Sequence, residues 1–266
     1  MDIENPEYLN KAKNLSLKTN YQKFREHFKT SGLFFALWQS IKYLTFLKNN
    51  MIAKGKIKIY CSDYGIQIFW NETEVTKGMG LNVAINTLGI WTDSTKAKWR
   101  ILERGRDYSK VKVVFRDLAL SQIWNIKIKD EQKIYWQIDM KVEEWLRIDE
   151  FRIVSLMNPL YKTWINNDQQ GDFPSFDNHW RDLYSGSQPV SLVGVRFLKD
   201  EFLPSFILES QEENLPAFVH NSPLDINARI IGFRHINPEE KKYYFLGDYH
   251  LFSGKINLFT DIDNVI

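Results

Sequence analysis

The hydrophobic period of this chain changes once, and that change decides its fold class. Up to about residue 50, apolar residues recur at three- and four-residue steps. Phe34, Leu37, Trp38, Ile41, Leu44 and Leu47 mark one face of a helix. From Lys56 onward the period is two. Lys56 to Tyr60, Gly65 to Trp70, Lys110 to Phe115, Ile123 to Lys129 and Ile134 to Val142 all alternate apolar with polar residues. Residues two apart share a face of a strand, so each run predicts a half-buried strand. Turn residues stand between the runs: Ser62-Asp63, Asn71-Glu72, Lys129-Asp130-Glu131 and Asn158-Pro159. Alternation with one polar face argues for antiparallel pairing, and long consecutive strands imply broad sheets packed as a sandwich. The expected architecture is mainly β, a large antiparallel β-sandwich at 56–266 behind a basic, amphipathic helical segment at 1–55. Residues 161–188 lack either period and read as an irregular, aromatic-bearing insertion. Gly78-Met79-Gly80 reads as a turn or bulge entering a strand.

Charge divides the chain at the same place. Residues 1–56 carry ten Lys/Arg against four Asp/Glu, whereas the remainder carries 25 against 29. The basic, amphipathic stretch 11–49 therefore offers a surface for an anionic membrane or for a partner. The acidic balance of the β-region opposes a groove that tracks phosphates, so nucleic acid is not an expected partner. The single cysteine, Cys61, excludes an internal disulfide and lies in an apolar run where a buried, inert thiol is expected. The N-terminus, MDIENPEYLN, has no signal-peptide pattern, and no apolar run is long enough to span a bilayer. The expected location is cytoplasmic, at the inner face of the membrane if the basic stretch engages it.

Established catalytic signatures are missing. The five histidines (His27, His179, His220, His235 and His250) form no metal-ligand spacing, and there is no phosphate-binding loop or nucleophile elbow. No metal and no cofactor is expected. Carboxylates that could serve in pairs, as glycoside hydrolysis requires, cluster at Asp139, Glu143, Glu144, Asp149 and Glu150. Glu209 ends an otherwise apolar strand. The stronger pattern is planar polar side chains beside aromatics on strands: Arg116, Gln122, Trp124, Trp136, Glu150, Arg152, Arg196 and Arg229, with Arg234 nearby. A sugar presents hydroxyls and an apolar ring face, and such side chains can hold both. The competing reading is that these groups pair structurally across a sheet.

The segments GIQIFWNETEVTKGMGLNVAI, LGIWTDSTKAKWRI, FRDLALSQIWNIKIKD and IYWQIDMKVEEWLRIDEFRIVSLMNPLYKTW, then VGVRFL and ARIIGFRH, carry a likeness. Over roughly 56–258 the chain resembles the galactose-mutarotase-like supersandwich domain appended to bacterial and archaeal surface-polysaccharide biosynthesis proteins. The resemblance implies a supersandwich that binds a polysaccharide or oligosaccharide. Aldose mutarotases use a His acid and a Glu base, for which the nearest candidates are His220 or His235 and Glu209, although no motif fixes them. Three functions follow as expectations: a glycan-binding module; a sugar epimerase, lyase or hydrolase working by His and Glu/Asp acid–base chemistry; or a domain that docks a protein or a membrane.

Overall fold

The computed structural model describes residues 50–177, 179–197, 203–213, 215–222 and 227–260. The expected helical segment and the membrane-facing stretch 11–49 lie outside the described residues, apart from residues 50–55. Those six residues hold the first strand, so the β-unit starts ahead of the expected boundary.

In chain order the strands are β1 (Met51–Lys54), β2 (Ile57–Cys61), β3 (Ile66–Trp70), β4 (Thr73–Glu74), β5 (Thr76–Thr87), β6 (Ile90–Asp93), β7 (Lys98–Arg104), β8 (Tyr108–Val114), β9 (Leu120–Ile128), β10 (Lys133–Val142), β11 (Leu146–Arg147), β12 (Glu150–Met157), β13 (Thr163–Asn166), β14 (Gln170–Asp172), β15 (Arg181–Pro189), β16 (Leu192–Arg196), β17 (Ser205–Ser210), β18 (Pro216–Ser222), β19 (Ala228–Ile236), β20 (Tyr243–Tyr244) and β21 (Gly247–Phe259). Two broad antiparallel sheets result. The larger runs β1-β2-β3-β5-β12-β19-β18-β15, with β4 on β3 and β6 on β5; the second runs β14-β13-β16-β17-β21-β10-β9-β8-β7. The stretch 161–188, expected to be irregular, supplies β13, β14 and part of β15. Its pairing comes from neighbouring strands rather than from any period of its own.

Alternation sorts each strand into an inner and an outer face. On β12, Phe151, Ile153 and Met157 join the core between the sheets, while Val154 and Leu156 belong to a separate apolar cluster on the outer face. Glu150 and Arg152 share that outer face by register. On the second sheet Trp99, Trp124, Trp136 and Phe252 form a continuous chain of rings with centroids 5.0, 5.3 and 5.4 Å apart. Gly254 stands opposite Trp136, and a Cβ there would lie 2.5 Å from the Phe252 ring, so only glycine lets that chain close. Gly80 answers a similar demand: at φ +63° its missing Cβ would sit 2.0 Å from the Ile66 carbonyl oxygen. The Gly78-Gly80 pair, expected as a turn or bulge ahead of the strand, lies inside β5 where its register against β12 shifts.

Cys61 is buried, and burial pushes its thiol up to about 11, which keeps it protonated and inert. Trp124→Ala would remove the centre of the aromatic chain. It is expected to cost about 3–5 kcal/mol, measured as a fall in the urea midpoint with little change in slope.

Candidate functional site

The sequence reading gathered its polar and aromatic candidates into one site; the fold distributes them over several places. Gln122, Trp124 and Trp136 are fully buried on the inner face of the second sheet. Trp124 donates its indole N–H to the Gln122 side-chain oxygen at 2.9 Å. Their alternation with Ile126 and Ile128 points them inward, so they make core and no sugar platform. Arg229 is also buried. It donates to the carbonyls of Tyr161 and Pro174 at 3.2 and 2.7 Å and to the Asn221 side chain, with Phe173 and Phe176 against its guanidinium. Burial lowers its pKa to about 10, and its contacts tie the 161–176 segment to the larger sheet. Arg196 is buried on β16 of the second sheet, and Arg116 is exposed in the turn between β8 and β9.

The expected acid–base pairs do not assemble either. His220 lies on the outer face of the larger sheet, in register with Ile230. Glu209 is on β17 of the second sheet, directed away from the core residues Phe206 and Leu208, where it accepts from Asn257 at 2.7 Å. Both layers therefore stand between the two residues. His235 stands opposite the inward Phe151 and stacks on its ring at 4.9 Å, away from the His220 face.

Three of the expected residues, Glu150, Arg152 and Arg234, do fall on the His220 face, and they bring in Trp91, Trp180 and Asp182, which the sequence reading left out of its site. Arg152 lies directly opposite Arg234 on β19. Its Nε donates to Glu150 at 2.7 Å. Its guanidinium carbon is 4.4 Å from the Trp91 ring centroid and 5.5 Å from that of Phe218. Trp91 comes from β6, opposite Asn86, and is 40% exposed. Arg234 donates a terminal N–H to the Gly186 carbonyl at 2.6 Å. Its Nε is buried with no hydrogen-bond partner, and among the described residues no carboxylate lies within ion-pair distance of it. Further along, Trp180 meets the His220 ring edge-on at 5.1 Å and donates its indole N–H to Asp182, which is 3.4 Å from His220 Nε2.

His220 is held neutral. Burial is the largest cause, Asp182 opposes it, and the positive charges of Arg152 and Arg234 add to it, bringing the imidazole down to about 4. The face is thus an apolar floor (Val154, Leu156, Phe218, Ala228 and Ile230) with a neutral imidazole at one end and two guanidiniums at the other. Trp91 and Trp180 are half open beside it.

The outer face of the second sheet carries a different cluster. His250 Nδ1 is 2.8 Å from Asp139, and its Nε2 is 3.0 Å from both Glu212 and Ser253 Oγ. Burial would lower its pKa, but the two carboxylates outweigh that and raise it. Glu212 and Ser253 Oγ share the same ring nitrogen, Nε2, so the serine does not have that nitrogen to itself as a nucleophile–base pair would require. Beside it lies an open cavity of about 460 Å³ bordered by Tyr108, Lys127, Tyr135, Gln137 and Gln211. Among the described residues no group of His, Cys, Asp and Glu could hold a metal ion.

The same fold is seen in a crystal structure of a protein assigned as an aldose 1-epimerase from Escherichia coli K12. The TM-score is 0.53 at 8% identity, covering 78% of this chain and 97% of that one. The chain has the galactose mutarotase-like supersandwich fold. A heparan sulfate lyase from Pedobacter heparinus is more distant, at TM-score 0.44 and 8% identity, with 76% of this chain set against 33% of that one. No family profile matches the chain, and no curated protein matches it in sequence. At such identities the likeness establishes the layer architecture and leaves the chemistry to the residues.

His220 gives a test of this geometry by pH. Its proton affinity is lower folded than unfolded, so it contributes stability that is fully present above pH 6.5 and lost as pH falls towards about 4. The melting-temperature difference between wild type and His220→Gln is expected to move against wild type across that window. A constant difference would place His220 in a polar, water-accessible setting.

Proposed function

We propose that this protein binds a saccharide on the outer face of the larger sheet, with Arg152, Trp91, Arg234 and His220 as its principal contacts. The observation that carries this reading is Arg152. Stacked on Trp91 and fixed at its Nε by Glu150, it keeps its terminal N–H groups directed by a rigid frame. A guanidinium so positioned can hold two vicinal hydroxyls, and the half-open Trp91 ring beside it can cover an apolar sugar face. The neutral His220 can accept or donate a hydrogen bond without adding charge. The supersandwich fold is compatible with this use.

A binding role fits the residues better than catalysis does. Glu150 on this face is engaged by Arg152, Asp182 by Trp180, and His220 is too weak a base at neutral pH to match the near-neutral pKa that acid–base chemistry favours. A second reading, favoured by the cavity beside Tyr108 and Tyr135, places the saccharide on the opposite sheet.

The two readings separate by titrating oligosaccharides against intrinsic tryptophan fluorescence. Arg152→Gln is expected to abolish a saturable signal and Trp91→Ala to weaken affinity roughly tenfold, with Tyr135→Ala unchanged. Loss in Tyr135→Ala with Arg152→Gln intact would move the site to the second sheet. Saturable turnover of the sugar would replace binding with catalysis.

A further inference from the structure

Arg152 and Arg234 occupy directly opposed positions on neighbouring antiparallel strands, on the same face. Side chains so placed have Cβ atoms about 4.5–5.5 Å apart, and like charges there repel. A single carboxylate, Glu150, pairs with Arg152, whereas no carboxylate among the described residues pairs with Arg234. Asp182, another acid on the face, is 3.4 Å from His220 and accepts the Trp180 indole N–H. Both guanidiniums depress His220, which shows that their fields converge on the same surface. Finally, Arg234 Nε is buried without an acceptor. A buried donor left unpaired is costly, more so on a charged group, and Arg234 has neither an acceptor at Nε nor a carboxylate partner among the described residues.

We propose that the saccharide bound on this face is acidic, and that its carboxylate or sulfate group bridges Arg152 and Arg234. This rests on the reading of the face as a saccharide site and names the class of sugar. The guanidinium fork matches both oxyanions bidentately. The anion gives the Arg234 guanidinium the charged partner it lacks among the described residues, and it relieves the repulsion between the paired arginines. Trp91, stacked on Arg152, would then lie against the ring that carries the acidic group. Neutral sugars of the same shape would offer only uncharged acceptors, leave the arginine repulsion unrelieved and bind more weakly.

The test is a glycan array, followed by calorimetry, in which each uronate- or sulfate-bearing oligosaccharide is matched with its neutral counterpart: the methyl ester for uronates, the desulfated form for sulfates. The expected result is an acidic form preferred by at least tenfold, with affinity falling as salt rises. Arg234→Gln is expected to erase the preference, and Arg234→Lys, which keeps charge but loses the fork, to retain part of it. Thermal melts confirm that each variant is folded. The uronate and sulfate arms tell which anion is read. Equal binding of charged and neutral members, still lost in Arg152→Gln, would overturn the acidic-ligand inference and leave the saccharide site standing. Failure of every oligosaccharide to bind would overturn both.

Discussion

Everything about this molecule follows from two sheets that bury their inner faces against each other. The inward residues of β9, β10 and β21 on one side, and of β5, β12 and β19 on the other, leave no room between the layers for anything but side chains. A residue one position out of phase is thrown to an outer face, where it meets solvent or whatever the protein binds. Function therefore has to be built on outward positions or on loops. The outward polar residues of β12, β18 and β19 are few enough to stand out: Glu150, Arg152, His220, Ser222 and Arg234.

That same rule explains which site residues were legible in the sequence. The period-two runs made the strands and the sandwich readable, because burial of one face writes itself into every second residue. It also held the information that Trp124 and Trp136 are core: each is in phase with isoleucines on its own strand. Treating an aromatic beside polar residues as a platform overlooked that phase. Glu150 and Arg152 were recoverable because β12 carries acidic and basic residues in phase with each other. The Arg152–Arg234 opposition depends on the β12–β19 register, a pairing between segments about eighty residues apart that no local pattern encodes. The Trp91 contact depends likewise on β5 folding back onto β6. The strands inside 161–188 lack local periodicity because neighbouring strands impose their pairing.

Charge placement separates this face from an ordinary solvated sheet surface. In other places cations and carboxylates settle into local networks, as Arg147 and Lys242 do with Asp149 and Glu239, and pairs near the surface contribute little net energy. On the outer face of the larger sheet the accounting is incomplete: two facing arginines share one carboxylate, and an imidazole is driven neutral between burial and their charge. An arrangement that costs stability in the free protein is what a preorganised anion site requires, since the donors are already in place before the ligand arrives.

The most direct measurement is a crystal structure with a bound acidic oligosaccharide. The account predicts density for a sugar ring against Trp91, with its anionic group within hydrogen-bond distance of both Arg152 and Arg234. Density confined to the cavity beside Tyr108 and Tyr135, with the arginine pair empty at saturating ligand, would contradict it.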